Sequence, residues 1–221
     1  MDESLISGER RINVEAFQPA GQGSHPAVLV LHGAGGIDTS NAYVRQMAAI
    51  LAAQGCGTFL VHYFDRTGHT WANDATIHEN FQLWLDTLKD AVEFIADQPG
   101  VDESRIGCFG YSLGAYLALA LASEEPRIHA VVEMAGGIEN GSADTIVRLP
   151  PTLILHGSED KRVPVSSAYG IKRVLQKLGV PYEMRVYPGE GHILRWPALS
   201  DAVMRGLDFL QRHLSPAAHA V

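Results

Sequence analysis

Arg105-Ile-Gly-Cys-Phe-Gly-Tyr-Ser-Leu-Gly-Ala-Tyr-Leu-Ala-Leu-Ala120 decides how the rest of the chain is read. Ile106 to Phe109 is a short apolar run, which predicts a buried strand. Leu113 to Leu121 is rich in Ala and Leu, which favour a helix. Between them, Gly110-Tyr-Ser-Leu-Gly114 is a G-x-S-x-G in strand-turn-helix context, the pattern of a nucleophile elbow. So tight a turn forces its central residue into a strained backbone conformation. Small residues two positions either side let strand and helix close on each other. The Ser112 hydroxyl is left at the sheet edge, over a helix N-terminus. The competing reading is a turn serine that only caps the helix.

Outward from this segment, apolar runs alternate with helical periodicity. Ala27–Leu31, Thr58–Val61, Ile128–Met134 and Thr152–Leu155 read as buried strands, and Tyr182–Tyr187 as the last strand. Glu9–Phe17 alternates loosely and reads as an edge strand. Helices are expected at Ala42–Ala53, Ile77–Asp97, Ser166–Leu178 and Asp201–Leu214. Polar, irregular stretches lie at Thr67–Thr76 and Gly136–Arg148. Strands alternating with helices at this spacing predict an α/β fold, with a mainly parallel sheet covered on both faces and no large cap. One domain is expected over residues 1–221, with about 1–8 and 215–221 loosely ordered.

Composition narrows the function classes. Hydrophobic residues make up 46% and charged residues 19% of the 221, as in ordinary globular proteins. A net charge of −8 speaks against a nucleic-acid partner. No apolar run reaches the length of a membrane span, so no membrane partner is expected. Met1-Asp-Glu-Ser opens acidic, without the apolar core of a signal peptide. Cys56 and Cys108 sit in or beside apolar runs and read as buried free thiols, which fits a reducing, cytoplasmic compartment. His62, His69 and His78 lack metal-ligand spacing, and no metal or other cofactor is expected. The oligomeric state is not legible.

The residues that carry chemistry all fall just after the ends of predicted strands, where active sites form in open α/β sheets. They occur in the order Ser112, Asp160, His192, the chain order of the α/β-hydrolases. A serine hydroxyl needs a base to take its proton, and His192 is the candidate. Asp160, in His156-Gly-Ser-Glu-Asp160, is the candidate carboxylate behind that imidazole, with Glu159 its close rival. A tetrahedral intermediate needs fixed N–H donors; Leu113 N–H and Ala34 N–H, in His32-Gly-Ala-Gly-Gly36, are the candidates. Cys108 reads as core, and His32 as a structural residue under the loop. Taken singly, His192 reads equally as a loop histidine and Asp160 as a turn residue; agreement in order, position and role favours the joint reading.

With these pieces in place the chain resembles the dienelactone hydrolase family of α/β-hydrolases, from about Ala27 to Leu214. The likeness rests on His32-Gly-Ala-Gly-Gly36, His62-Tyr-Phe-Asp-Arg66, Gly110-Tyr-Ser-Leu-Gly114, His156-Gly-Ser-Glu-Asp160 with Val163-Pro164, and Gly189-Glu-Gly-His192. The resemblance implies a cofactor-independent hydrolase of esters or lactones, with acid and base at Asp160 and His192. It also implies departures. The family's nucleophile is cysteine, where this chain has Ser112. The glutamate that partners the thiol is matched by Gly33. Of the arginines that hold a substrate carboxylate, one position offers Ile77 and only Arg195 lies near the other. A serine esterase on the same scaffold is the better reading.

Phe64, Trp71, Phe81, Ile193, Arg195 and Trp196 are the expected pocket residues, with core packing the competing reading for Phe81 and Trp84. The function expected is hydrolysis of a small carboxylic ester or lactone through an acyl-enzyme. The alternatives are a non-catalytic ligand-binding protein, or a small peptidase, on the same fold.

Overall fold

The apolar runs become the inner strands of one twisted sheet. The computed structural model describes residues 2–21, 23–39, 41–139 and 143–215. Strands β1 (Asp2–Ser7), β2 (Arg10–Phe17), β3 (His25–Leu31), β4 (Gly57–Val61), β5 (Val101–Tyr111), β6 (Ile128–Met134), β7 (Thr152–Gly157) and β8 (Tyr182–Tyr187) line up in the order β1-β2-β4-β3-β5-β6-β7-β8. β1 and β2 run antiparallel to their neighbours, and the strands from β4 across to β8 pair in parallel. The helices are α1 (Gly36–Thr39), α2 (Asn41–Ala53), α3 (Asp74–Ala96), α4 (Leu113–Glu124), α5 (Ser166–Leu178) and α6 (Ala198–Leu214), with a 3-10 turn at Tyr63–Arg66.

Both faces of the sheet are covered, which is why the inner strands lack hydrophobic-polar alternation. Leu29, Leu31 and Ile154 face Trp84 and Leu88 of α3, Leu117 of α4 and Ile171 of α5. Val28, Val30 and Phe109 face Met47 and Leu51 of α2 and Leu207 and Leu210 of α6. Helix α4 carries no charge before its last residue and packs on β3, β5 and β6 in the middle of the sheet. From β3 the chain passes through α2 to β4 on one side. From β4 it passes through α3 back to β5 on the other side of β3. The carboxyl ends of β3 and β5 are therefore the topological switch point, where a crevice forms.

Some boundaries differ from expectation. Residues 2–7, expected to be loose, form β1, paired along its length with β2, so β2 is not the edge. Leu5 and Ser7 of β1 are buried, and Ser7 Oγ donates to Thr87 Oγ1 of α3 at 3.1 Å. The hairpin closes over Gly8-Glu9, with Gly8 at a positive φ of 54°. Helix α3 begins three residues before Ile77, because the Asn73 side chain accepts the Thr76 N–H and caps it. Helix α6 begins at Ala198 rather than Asp201. Residues 216–221 of the expected loose tail, and 140–142 of the irregular stretch, lie outside the described residues.

One acid of an interior strand is fully buried. It is Glu133 of β6, in register with Gly110 of β5 and on the α4 side of the sheet with Val131. Its Oε2 accepts the Gly136 N–H at 3.0 Å, and among the described residues Oε1 has no partner. Burial pushes its carboxyl up to about 8, from an ordinary 4.5. The folded state thus binds a proton that the unfolded chain releases between those two values. Its contribution to stability is complete below pH 4.5 and is lost as pH rises toward 8. In urea unfolding between pH 5 and 8, Glu133→Gln should gain on the wild type by on the order of 1 kcal/mol per pH unit. Parallel curves across that range would contradict a proton held on Glu133.

Candidate active site

The turn after β5 is built on backbone contact. A Cβ on Gly110 would lie 2.3 Å from the Gly114 carbonyl oxygen, and one on Gly114 would lie 2.4 Å from the Leu31 carbonyl oxygen. Only hydrogen fits at either place. Strand β5 therefore turns directly into α4, and Ser112 between them takes φ 54° and ψ −118°. This is a strained conformation for a non-glycine residue, held by the packing on both sides. Ser112 Oγ makes no bond to the helix it precedes, so the capping reading is set aside. The hydroxyl instead meets His192 Nε2 at 2.9 Å.

His192 Nδ1 lies 2.7 Å from Asp160 Oδ2. With that carboxylate as acceptor, Nδ1 carries the proton and the Nε2 lone pair faces the Ser112 hydroxyl. Two loops are pressed together to make this contact. A Cβ on Gly157 would lie 2.3 Å from the Gly191 carbonyl and 2.4 Å from that of Glu190. Glu159 N–H donates to Glu190 O at 2.8 Å, and Ser158 N–H to Tyr187 O at 2.9 Å. The rival Glu159 points to solvent, whereas Asp160 is buried. The other oxygen of Asp160 accepts the N–H groups of Arg162 and Val163, at 2.8 and 2.9 Å.

Further residues brace this set without having been singled out in the sequence. His156 is buried, 3.5 Å from Asp160 Oδ2, and its Nε2 meets the Val163 carbonyl at 2.9 Å. Burial lowers its pKa, which keeps the ring neutral, with Nε2–H as donor. His156 thus ties together the turn that cradles Asp160. Tyr111 donates its hydroxyl to the His192 carbonyl at 3.2 Å, and burial raises its pKa to about 12. The only available signals were a histidine at a strand end and the aromatic residue beside Ser112.

The loop after β3 faces the serine from across the switch point. His32 is buried, stacked on Tyr63 at 4.1 Å, and bonded through Nδ1 to Gly33 O at 2.8 Å. Tyr63 donates its hydroxyl to His32 O at 2.6 Å. Burial lowers the His32 pKa to about 4, so the ring is neutral and holds the loop. A Cβ on Gly33 would sit 3.3 Å from Ser112 Cβ, so a larger residue would press on the serine. Ala34 and Leu113 both line the cavity that opens beside Ser112. Leu113 opens α4, so its N–H has no acceptor one turn earlier in the helix.

That cavity has a volume of about 530 Å³ and lies between the start of α3, Tyr116 of α4, Ile138 and the 162–167 segment. Phe81 lines it as expected. The other expected pocket residues do not. Phe64 is buried under the loop, 4.5 Å from Trp84 and edge-on to His32, because the 3-10 turn at Tyr63–Arg66 directs it inward. Trp71, Ile193 and Trp196 point to solvent, with exposures of 61%, 75% and 79%. Arg195 pairs with Glu190 at 3.2 Å and donates to Gly189 O. The arginine that does line the cavity is Arg162, paired with Asp74 of α3 at its mouth. Trp84 is core, and its indole N–H donates to Thr67 Oγ1 at 3.0 Å.

Cys108 is buried on β5, and loss of solvation drives its thiol well above the ordinary range, which suits a core residue. Among the described residues no three His, Cys, Asp or Glu side chains are grouped to hold a metal ion, and no helix is long and apolar enough to cross a membrane.

Comparison with known proteins fits this geometry. The family model for the dienelactone hydrolase family matches residues 12–196. Dienelactone hydrolase from Anabaena variabilis superposes with a TM-score of 0.75 over 97% of both chains, at 21% identity. Acyl-coenzyme A thioesterase 5 of Mus musculus is 27% identical over 175 residues, 79% of this chain and 38% of that protein. The acylamino-acid-releasing enzyme of Rattus norvegicus is 24% identical across 92% of this chain and 33% of its own length. The chain spans about a third of the length of the first curated relatives it matches. The sheet order, the turn at Ser112 and the family match together identify the chain as an α/β-hydrolase that belongs to the dienelactone hydrolase family.

Proposed function

We propose that the chain is a serine hydrolase that cleaves a carboxylic ester or lactone through an acyl-enzyme. The observation that carries this reading is the relay from Ser112 Oγ to His192 Nε2 at 2.9 Å and from His192 Nδ1 to Asp160 Oδ2 at 2.7 Å. As Ser112 Oγ attacks the substrate carbonyl, His192 takes the hydroxyl proton, and Asp160 stabilises the imidazolium. The oxyanion that forms is held by Leu113 N–H and Ala34 N–H at the switch point. His192 then gives its proton to the leaving oxygen, the C–O bond breaks, and acyl-Ser112 remains. A water molecule, deprotonated by His192, attacks that ester. Collapse of the second oxyanion releases the acid and restores Ser112–H.

His192 Nε2 stands where a general base must, and the Asp160 bonds to two backbone N–H groups hold the carboxylate behind it in place. Phe81 and Ile77 offer an apolar wall beside the serine. Two buried free thiols fit a reducing compartment such as the cytoplasm. The likeness to an acyl-coenzyme A thioesterase favours a second reading, a thioester as the acyl donor. The same steps apply to it, with His192 protonating the sulfur so that a thiol leaves.

Turnover of p-nitrophenyl acetate and butyrate tests the proposal. The wild type should hydrolyse both. Ser112→Ala should lower kcat by about 10⁴-fold or more, and Asp160→Asn by a smaller factor of about 10³–10⁴. Cys108→Ala should keep the activity. Near-full activity in Ser112→Ala with loss in Cys108→Ala would overturn the assignment of the nucleophile, and no turnover by the wild type would favour a non-catalytic ligand-binding protein.

A further inference from the structure

A second cavity shares a wall with the one beside Ser112. Phe81, Tyr116, Ile138 and Glu139 line both, and the second, of about 370 Å³, lies between α3 and α4. Both volumes fall within the range of small-molecule sites, roughly 300–1,000 Å³. Leu85 of α3, Leu119 and Ala120 of α4, and Ile146 give the second an apolar wall. Of its polar residues, Gln82, Glu124, Glu139 and Thr145 are exposed at the rim, and Ser123 is half-buried.

The two cavities follow one stripe of α4. Ser112, Tyr116, Leu119 and Ala120 recur at spacings of three and four, so they share one helix face. From Ser112 to Ala120 this face extends about 12 Å, at about 1.5 Å per residue. An acetyl or butyryl group bound at Ser112 stays within the first cavity. Only a longer acyl chain, of about eight to ten carbons, travels this distance.

The direction of the chemistry decides which part of the substrate lies there. The leaving oxygen must face His192 Nε2, because that atom protonates it. His192 is not among the described residues that line either cavity. The leaving group therefore departs on the His192 side, and the acyl group occupies the cavity side. The charges select a neutral chain. Glu139 stands exposed where the cavities meet, and Glu124 on the rim is already paired with Lys89 at 2.7 Å. With Glu124 neutralised by Lys89 and Arg162 by Asp74, a chain ending in a second carboxylate would find no free cation among the described residues that line the cavities and would meet Glu139 where they adjoin.

We infer that the second cavity is an acyl-chain subsite, and that the enzyme takes neutral, unbranched acyl groups of about eight to ten carbons. The inference rests on the acyl-enzyme reading and adds the substrate class. Phe81, Tyr116 and Ile138 form the neck through which the chain passes. The methylenes beyond it leave water for an apolar surface, and each contributes to transition-state binding.

The test is a p-nitrophenyl ester series from acetate to decanoate, kept below micelle-forming concentrations, on wild type and Ala120→Trp. Ala120 is only partly buried, so the indole has room to enter the second cavity, and circular dichroism checks the fold. For the wild type, kcat/KM should rise at least about tenfold from butyrate to octanoate. In Ala120→Trp the octanoate-to-acetate ratio should fall by about tenfold, and in the smaller Ala120→Leu by less. A wild type that turns over acetate and butyrate but shows a flat or falling profile toward octanoate overturns the subsite alone. A rising profile with an unchanged ratio in folded Ala120→Trp overturns its location. No turnover at any chain length overturns the esterase reading and the subsite with it.

Discussion

A carbonyl oxygen on Gly114 and another on Leu31 occupy the space where side chains at Gly110 and Gly114 would begin. That close approach of three backbones is the constraint on which the rest of the structure depends. It lets β5 run into α4 without a loop, and it forces Ser112 to a φ of 54°, at a cost of about 1–3 kcal/mol. The strain persists because α4 is clamped in the middle of the sheet, with Ala115, Leu117, Ala118 and Leu121 fully buried. Relaxing Ser112 would mean lifting that helix from the core. The same clamp aims the N-terminus of α4, and with it Leu113 N–H, at the switch point between β3 and β5.

Around the serine, polar groups are buried in pairs rather than singly. Asp160 has both oxygens occupied, one by His192 and the other by two backbone N–H groups. His32 is neutral, stacked on Tyr63 and bonded to its own loop. His156 ties the Asp160 turn to β7. These interactions hold first-layer atoms within hydrogen-bond reach before any ligand arrives, as preorganised electrostatics require. Among the described residues two buried atoms have no partner, His156 Nδ1 and Glu133 Oε1, and Glu133 is an acid kept protonated beneath the elbow because burial leaves its charge nothing to answer it.

Much of this was legible in the sequence, for local reasons. The glycines of Gly110-Tyr-Ser-Leu-Gly114 and the continuous apolar runs report backbone closeness and double-sided burial directly. The positions of Asp160 and His192 follow because each lies a few residues past a strand end. The pocket was not legible in the same way. Phe64 and Trp71 follow β4 closely, but nearness in sequence does not say which way a side chain turns, and one points into the core and the other to solvent. Tyr116 and Arg162 line the cavity from different elements brought together only by the fold. Strand β1 is equally illegible, because a short edge strand of alternating polar residues has the composition of a loose terminus.

We propose that Ser112 forms a covalent acyl intermediate, activated by His192. Its most direct measurement is intact-protein and peptide mass spectrometry after reaction with a fluorophosphonate, which captures activated serines. One adduct per chain is expected, on the peptide that contains Ser112, with a loss of labelling in His192→Ala, where the base is gone. Labelling of wild type and His192→Ala at equal rates, or an adduct on any other residue, would contradict it.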